Sequence, residues 1–321
     1  MSQTKWFIWA IAGIMVNISA VKGQQDPFFS QYMFNGLFIN PAYSGYQPKI
    51  QAAAFHKKYG VPFQSGASSS LFSINAPLRY NQIGIGALLV NDQYSFLTRN
   101  DIKASMAYKI NIFKGTMAFG MNIGLTQFRF DPELLKIKDI DDYKINEDRI
   151  NKITPDLGAG LFYQHRIFYL GVSGMHLFNR TFSQNNVPLI LPIHLYVNGG
   201  LQLKLSNEWK LVPSFLLRYI TNRTYTLDVT VHTFYSDLLW FGISAREPSL
   251  LSAQTGVKLS NLIKTGGTTE VKVGYAFDYV LGNRRYIAPS MQEIFLLIDF
   301  QTGNSTKTIK KQKIKVSPLF F

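Results

Sequence analysis

The sequence predicts an all-β fold, a transmembrane antiparallel β-barrel of about fourteen strands that follows an aromatic-rich N-terminal segment. Three observations support this prediction. Most of the chain alternates apolar with small or polar residues at the two-residue period of a β-strand. The connections between these stretches are short and long in turn. After the first residues, no stretch reaches the roughly 18 apolar residues that a membrane-spanning helix needs.

Residues 270–280 show the alternation clearly. One face of this predicted strand carries Val and aromatic side chains from Val271 to Tyr279, and the other carries small or polar ones from Glu270 to Asp278. A soluble sheet turns its apolar face toward a core. Large aromatics opposite small and polar residues are instead typical of a barrel with lipid outside and water or a plug inside. Lipid cannot form hydrogen bonds with the free backbone N–H and C=O groups of an open sheet edge, so such a sheet must close into a barrel.

Stretches with the same period follow one another along residues 50–300, the predicted barrel. Their limits are 50–57, 67–75, 82–91, 100–111, 115–129, 156–165, 167–175, 192–205, 209–219, 224–236, 239–246, 253–261, 270–280 and 291–300. Tight turns lie at 112–114, 165–166, 206–208 and 236–238, whereas the connections 129–155 and 176–191 are long. Outer-membrane barrels have short periplasmic turns and long surface loops, so both termini are expected in the periplasm. A β-propeller or a sandwich also has many short strands, but its loop lengths need not alternate.

The two ends of the chain differ from the barrel region. Residues 1–23 have a charged start, an apolar stretch and small residues at the end, which predicts a secretory signal cleaved between Gly23 and Gln24. An uncleaved N-terminal anchor is the alternative. Residues 24–49 are predicted as a periplasmic or plug segment, and residues 301–321 as a basic tail.

The composition limits the classes of partner. The formal net charge is +14, but five of the lysines lie in the tail, where no acidic residue accompanies them, and two lie in the signal. The barrel region is therefore only modestly basic, and an exported chain rarely meets nucleic acid, so we expect no nucleic-acid partner. The chain has no cysteine, which excludes disulfides and a lipoprotein anchor.

Between the signal and the first strand lies a run rich in aromatic and asparagine residues. It contains Asp26-Pro27-Phe28-Phe29-Ser30-Gln31-Tyr32-Met33-Phe34-Asn35 and then Asn40-Pro41-Ala42-Tyr43-Ser44-Gly45. So many aromatics require burial, either inside the lumen or against a partner, and a barrel of this size can hold a plug. We predict partner-binding residues in this run and at the end of the tail: Asp26, Pro27, Phe28, Phe29, Tyr32, Phe34, Asn35, Asn40, Pro41, Tyr43, Phe320 and Phe321.

The sequence offers little for catalysis or for metal binding. Its five histidines are scattered and lack a metal-binding spacing. The acidic stretch 139–148 lacks the glycine of a calcium loop. Ser68–Ser70 and His56 come without a nucleophile elbow, and Gly266-Gly267 is typical of a turn, not of a phosphate loop. We therefore predict a protein that is not an enzyme and that has no cofactor, metal or catalytic residue.

The N-terminal run, with its Phe-Ser-Gln-Tyr-Met-Phe-Asn and Asn-Pro-Ala-Tyr stretches, resembles the opening of the PorP/SprF family of outer-membrane proteins in Bacteroidota. Later stretches resemble the family in the same order: Ser73–Leu78, Gly84–Gly86, Val90–Asp92, Tyr169–Ser173, His176–Asn179, Pro213–Leu217 and Gly274–Tyr279. The segment 60–67 and the basic tail depart from the family pattern.

This resemblance implies an outer-membrane component of type IX secretion and gliding. Such barrels dock or anchor exported cargo, often a large adhesin, and contact periplasmic machinery such as an OmpA-like peptidoglycan-binding lipoprotein. It further implies that the loops 129–155 and 176–191 or the lumen meet the cargo, while the N-terminal run and the tail face the periplasm.

Two other functions stay open on the sequence alone. An outer-membrane porin or transporter for small, anionic solutes would use basic residues on predicted inward faces, namely Lys103, Lys109, Lys204, Lys210, Arg218, Lys258 and Lys272. A stable conductance would favour the porin, and a silent barrel would favour a plugged anchor. A soluble exported β-protein is the third possibility, and it would be extracted without detergent.

Overall fold

Antiparallel strands form a closed barrel. The computed structural model describes residues 27–60, 66–78, 82–94, 97–131, 150–178, 180–184, 187–221, 225–247, 249–259, 269–281 and 290–300. Within these residues the strands are β1 (Ile50–Tyr59), β2 (Ser68–Leu78), β3 (Ile83–Tyr94), β4 (Leu97–Ile112), β5 (Gly115–Phe130), β6 (Ile150–Gln164), β7 (Phe168–Met175), β8 (Arg180–Gln184), β9 (Val187–Leu191), β10 (His194–Leu201), β11 (Leu203–Lys204), β12 (Trp209–Ile220), β13 (Tyr225–Tyr235), β14 (Leu239–Arg246), β15 (Leu250–Lys258), β16 (Thr269–Val280) and β17 (Ser290–Phe300).

The sheet closes because the first and last strands pair. Ile50 of β1 lies opposite Phe300 of β17, and β10 pairs with both β7 and β12. The short strands β10 and β11 both pair with β12 and form one barrel strand, which gives fourteen barrel strands in the described part of the chain. The remaining two strands, β8 and β9, form a separate hairpin. The predicted all-β barrel of about fourteen strands is confirmed.

Each predicted strand overlaps one barrel strand, and the differences have local causes. Strand β6 begins at Ile150 and not at residue 156, because its first residues continue the ladder with β5 past Pro155. The ladder continues there although a proline lacks the backbone N–H that pairs with the neighbouring strand. The hairpin of β8 and β9 lies in the predicted loop 176–191; its strands have only five residues each, too few to show a period.

The outer surface is apolar along the strands. On β5 the side chains of Phe119, Met121 and Ile123 are exposed, while Gly120 and Asn122 between them are buried. This alternation confirms the prediction that the apolar faces point outward, to lipid. Among the described residues, no helix has the length and the apolar character to cross a membrane.

A row of amides marks one border of the apolar outer surface. Asn91 donates to Asn100 (2.7 Å), Asn100 donates to Gln127 (3.2 Å), and Gln127 donates to Asn151 (2.8 Å) on the outer faces of β3 to β6. Amide groups that bond one another in this way suit the polar headgroup region and not hydrocarbon. The ends of these strands therefore extend beyond the lipid core.

Replacing Ile123 by arginine is expected to destabilise the barrel by about 2–4 kcal/mol, because a charge would enter hydrocarbon at mid-height of β5. Ile123 is 65% exposed on the outer face. The measurement is the free energy of unfolding in lipid vesicles, followed by tryptophan fluorescence in urea. Gln127→Arg, on the same face at the amide row, is the control and should cost less than about 1 kcal/mol. Equal costs at both positions would contradict a lipid-facing surface.

The connections give the barrel two different ends. At the end where β1 begins and β17 ends, tight turns join the strands at 113–114, 165–167, 205–208 and 236–238. We call this the short-turn end; β15 also ends and β16 also begins there. At the opposite end, the long-loop end, 19 residues separate β5 from β6 and 18 separate β7 from β10. In outer-membrane barrels the short turns are periplasmic.

The turn between β4 and β5 consists of two residues with positive φ, Phe113 (49°) and Lys114 (60°). Such a turn favours Asn-Gly, since other L-residues pay roughly 1–2 kcal/mol for this conformation. The double variant Phe113→Asn/Lys114→Gly is expected to raise stability by about 1–2 kcal/mol in urea unfolding. Phe113→Leu keeps the strain and should give no gain. If Phe113→Leu stabilises the protein as much as the double variant does, the gain comes from removing the exposed phenyl ring and not from relieving backbone strain.

Candidate functional site

The lumen is occupied by residues 27–49, the plug. Its backbone makes single helical turns at Tyr32–Phe34, Gly36–Ile39 and Pro41–Tyr43. Asn40 caps the last turn, because its side-chain oxygen accepts from the Ala42 N–H at 2.9 Å. Asn and Pro interrupt every longer helix, so the segment folds as a chain of tight turns.

Ser30 bonds to the barrel wall with each of its polar groups. Its N–H donates to Glu293 (2.6 Å), its carbonyl accepts from Gln254 (3.1 Å), and its hydroxyl donates to Asp278 (2.6 Å). Lys57 also donates to this hydroxyl at 3.0 Å. We call Ser30 and these four wall residues the Ser30 cluster; it fixes the start of the plug.

The charges of the Ser30 cluster are fully buried. Lys57 is 1% exposed and lies 2.5 Å from Asp278 and 3.5 Å from Glu293, both of which are inaccessible. The second oxygen of Glu293 accepts the N–H of Gln31 at 2.9 Å. Buried charges are tolerated only when they are paired and hydrogen-bonded, so the plug backbone completes the solvation of these carboxylates.

Beside the cluster, two arginines hold the ring of Phe28. The Arg246 guanidinium lies 3.2 Å from the ring centroid and also bonds to Asp228 at 3.0 Å, and Arg218 lies 5.1 Å from the ring. Arg246 is the last residue of β14, at the long-loop end. Phe28 and Ser30 therefore lie near the long-loop end, and the expectation that the N-terminal run faces the periplasm stays a prediction.

Large aromatics from the wall meet the plug halfway down the lumen. Phe34 contacts Trp240 and Phe295 (5.0 and 4.7 Å between ring centroids), and Phe29 contacts Phe55 at 5.6 Å. The sequence predicted small or polar inward faces with the aromatics outside, so the three inward wall rings are an exception. They point inward because the apolar plug replaces water there.

The Asn-Pro-Ala-Tyr stretch packs directly on the wall. Asn40 donates to the Leu161 carbonyl at 2.8 Å, and a Cβ at Gly160 would lie 2.2 Å from its side-chain oxygen. Glycine at this inward position of β6 lets the plug approach the strand. At Gly120 of β5 an added Cβ would lie 2.2 Å from the Ala42 nitrogen.

Two tyrosines follow this stretch. Tyr43 stacks on Phe162 with 4.1 Å between ring centroids, and Asn198 donates to its hydroxyl at 3.3 Å. Tyr46 is buried and donates to the Thr116 carbonyl at 2.9 Å. Burial raises the pKa of Tyr46, so its hydroxyl remains a donor.

The plug ends at the short-turn end in a second ionic contact. Lys49 lies 2.5 Å from Asp299 and 3.7 Å from Glu270. Asp299 also accepts from Gln51 (3.0 Å) and lies 3.5 Å from Lys272. The plug is therefore attached at both ends of the lumen.

A further charged group lies on the inner wall of β4 and β6. Lys103 lies 2.6 Å from Asp156, which also bonds to His176 at 2.9 Å. Gly124 of β5 stands between the two partners in the register and has no side chain, so the lysine reaches across the strand. Lys103 was predicted from the sequence as an inward residue, but its partners Asp156 and His176 were not. The signal that could have indicated Asp156 is the inward glycine between two residues of opposite charge.

Most of the other cations named from the sequence also have a partner within the chain. Lys109 donates to the Gly45 carbonyl of the plug. The remaining pairs are Lys258 with Glu270 at 2.6 Å and Lys210 with Asp237 at 2.6 Å. Lys204 is exposed.

The structure brings together most of the predicted partner-binding residues. Those that it buries inside the barrel are Pro27, Phe29, Tyr32, Phe34, Asn35, Asn40 and Pro41; Phe28 and Tyr43 are half-buried there. Asp26, Phe320 and Phe321 lie outside the described residues. Binding of a partner by any of them stays a prediction, since the contacts seen are within the chain. In the described ranges no three His, Asp or Glu residues converge as metal ligands. His56 and Ser70 lie 3.0 Å apart, near the outer surface and not in the lumen.

A family model described as "Type IX secretion system membrane protein PorP/SprF" matches residues 21–296. The chain belongs to the PorP/SprF family. This confirms the resemblance of the N-terminal run, and the match extends over the plug and nearly the whole barrel. The protein is an outer-membrane component of type IX secretion. No curated protein matches the sequence.

Solved structures similar to the PorP/SprF barrel include outer-membrane proteins. A Pseudomonas aeruginosa FadL homologue has a TM-score of 0.50 and 11% identity, over 88% of this chain and 96% of that one. The Pseudomonas putida toluene transporter TodX has a TM-score of 0.49 and 10% identity (88% and 95% covered), and Acinetobacter baumannii Omp33 has 0.44 and 8% (81% and 100%). At such identities the likeness to the FadL homologue shows the fold alone.

Proposed function

We propose that this PorP/SprF protein is a closed barrel that anchors exported cargo at the cell surface and contacts periplasmic machinery, without enzymatic activity. The observation that carries the proposal is the plug, which fills the lumen and is attached at both of its ends by Ser30 and Lys49. A filled lumen suits a fixed support better than a path for solutes.

The charges of the lumen support the anchor over a porin. An anion channel needs cations that face water and are free to attract solutes. Here Lys103, Lys258 and Lys272 lie against carboxylates, and Lys109 binds the plug backbone. The inward cations thus stabilise the plugged barrel.

The long-loop end offers the surface for cargo. Strands β4, β5 and β6 continue past the amide row, and the hairpin of β8 and β9 adds ordered backbone there. Ordered strand ends on a rigid barrel hold a partner at little entropic cost. The exported cargo or a large adhesin would bind at this end.

The short-turn end offers the surface for periplasmic partners. Phe113 is 80% exposed in its two-residue turn, and Ile167 and Leu205 are exposed in the next two turns around the rim. Exposed apolar residues on adjacent turns can form an interaction surface. An OmpA-like lipoprotein would bind there.

Two measurements test this function. The purified protein should be silent in planar bilayers, and a tagged version should co-purify in mild detergent with a large exported protein or a peptidoglycan-binding lipoprotein. Replacing residues 180–191 by a short Gly-Ser linker should remove the exported partner, whereas the matched control Phe113→Asn/Lys114→Gly should keep it. A stable open pore in the unaltered protein would instead support a porin, and isolation as a lone protein would count against the anchor.

A further inference from the structure

We infer that the outer wall of β1 to β6 binds the phosphorylated sugar headgroup of a glycolipid near the long-loop end of the barrel. The site is a band of polar side chains in two tiers, which points sideways from the barrel directly above the lipid-facing surface. This inference goes beyond the proposed function and does not depend on it, since it concerns the surrounding lipid and neither the cargo nor the periplasmic partner.

The lower tier of this polar band extends the amide row to the first two strands. His56 of β1 and Ser70 of β2 lie 3.0 Å apart on the outer surface, and Ser70 lies opposite Asn91, where the amide row begins. The members of the lower tier, each directly opposite the next in the register, are His56, Ser70, Asn91, Asn100 and Gln127.

The upper tier lies two residues nearer to the long-loop end. Its members, again opposite one another in the register, are Lys58, Ser68, Gln93, Thr98, Arg129 and Asn151. The side chains of Lys58, Gln93 and Arg129 are exposed. Within the described part of the chain, none of these three makes a hydrogen bond or an ion pair. Two cations and an amide of the band are therefore available to a ligand.

The polar band is positively charged and has no carboxylate on its own face. The described acidic residues on β1 to β6 are buried and point to the lumen; they are Asp92, Asp101 and Asp156. Asp131, the residue after β5, already has an interaction partner. Charge-assisted hydrogen bonds to phosphate are short and strong, and an arginine such as Arg129 can present two parallel donors to it. Phosphate groups are thus the ligands that suit Lys58 and Arg129.

The polar band is confined to one half of the barrel. On β10, β12, β13, β15 and β16 the last outward residue at the long-loop end is exposed and apolar or aromatic; these residues are Leu195, Tyr219, Tyr225, Leu251 and Tyr279. Aromatic residues are the ordinary border of an outer-membrane barrel. A general adaptation to headgroups would run around the whole barrel, so the one-sided band indicates a particular ligand at β1 to β6.

The width of the band indicates the class of headgroup. Lys58 and Arg129 lie on β1 and β5, four strand spacings apart, or about 19 Å along the sheet. A single phosphate cannot contact both cations. A headgroup of several sugars with phosphates at separate positions can, and its hydroxyls match the amide and hydroxyl groups between the two cations. The band therefore fits a phosphorylated glycolipid better than a simple phospholipid.

An exported protein is the other partner that a polar wall could meet. The lipid is favoured by the height of the band. The lower tier lies only two residues above Leu89, Ile102 and Leu125, which are 45%, 61% and 52% exposed on the same outer faces. Because these side chains face hydrocarbon, the headgroups of the surrounding lipid lie at the level of the band.

Lipid binding to the purified full-length protein tests the inference. The protein in mild detergent is titrated with lipopolysaccharide, with dephosphorylated lipopolysaccharide or with phosphatidylglycerol, and the bound fraction is measured by native mass spectrometry. Lipopolysaccharide carries both phosphates and sugars, whereas each of the other two lipids lacks one of them. We expect the protein to bind lipopolysaccharide most tightly of the three.

Lys58→Gln/Arg129→Gln is expected to weaken the binding of lipopolysaccharide by about tenfold or more, since it removes two charge-assisted contacts. Gln93→Ala should weaken this binding by roughly a few-fold through loss of a sugar contact, and leave the binding of phosphatidylglycerol unchanged. Arg166→Gln is the matched control, because Arg166 is exposed in a turn at the short-turn end. It should bind lipopolysaccharide as tightly as the unaltered protein.

Equal affinity of the unaltered protein and of Lys58→Gln/Arg129→Gln for lipopolysaccharide overturns the inference. So does equal affinity for all three lipids, which would show attraction without recognition of the headgroup. If the double variant loses a co-purifying exported protein while it binds lipopolysaccharide normally, the polar band is a protein-docking surface and not a lipid site.

Discussion

Replacing Lys57 by methionine is expected to destabilise the barrel by about 3–5 kcal/mol, because Asp278 and Glu293 would remain buried without a counter-charge. Both carboxylates are inaccessible to solvent, and Lys57 is their nearest cation, at 2.5 and 3.5 Å. The measurement is urea unfolding of the protein in lipid vesicles. If the Lys57→Met variant does not fold at all, its destabilisation lies at the upper end of this range.

Lys210→Met is the matched control for Lys57→Met. Lys210 also lies close to an aspartate, Asp237 at 2.6 Å, but that carboxylate is 60% exposed. Solvent screens such a pair, so its loss should change the unfolding free energy by less than about 1 kcal/mol. The double variant Lys57→Met/Asp278→Asn should recover part of the loss, since it removes one unpaired charge. Equal losses of unfolding free energy in Lys57→Met and Lys210→Met would show that burial of the Ser30 cluster does not increase the cost of removing its cation.

Gly120→Val is expected to displace the plug and open the barrel to ions. An added Cβ would lie 2.2 Å from the nitrogen and 2.4 Å from the Cα of Ala42, and backbone atoms cannot rotate away as a side chain does. Overpacking of this kind costs about 1–3 kcal/mol, although valine itself favours a strand more than glycine does. The measurement is single-channel conductance, and the reference is the unaltered protein, which is expected to be silent.

Met121→Val is the control for Gly120→Val. Met121 is the next residue of the same strand, but it points outward and is 59% exposed to lipid. The substitution there meets no plug atom, so the barrel should stay silent, with a stability change within about 0.5 kcal/mol. A silent Gly120→Val barrel of unchanged stability would mean that the plug does not depend on close approach to β5.

The sequence predicted the barrel strands well because their signal is local. The two-residue period is clear in long strands such as β5 and β16 and weaker in β1 and β2, and it does not depend on distant parts of the chain. The hairpin of β8 and β9 was missed for the converse reason, because five residues cannot establish a period.

The plug was predicted only in part. Its aromatics and the Asn-Pro punctuation indicated burial without long helices, and residues such as Phe34 and Asn40 are indeed buried. Their wall partners could not be named, because Glu293 and Asp278 come more than 240 residues later and their register with Ser30 follows from barrel closure. Inward glycines such as Gly160 could be identified from the sequence. Their role could not, because it depends on which plug atom lies against them.

By itself the sequence determined that this protein is an outer-membrane barrel, which faces are apolar, and which family it belongs to, since periodicity and a linear motif are properties of neighbouring residues. Only the tertiary structure decided that the plug runs from the long-loop mouth down to the short-turn end, and that most inward cations are already paired. The physical reason is that buried charges must find their partners across the lumen, and closure of the sheet sets those distances.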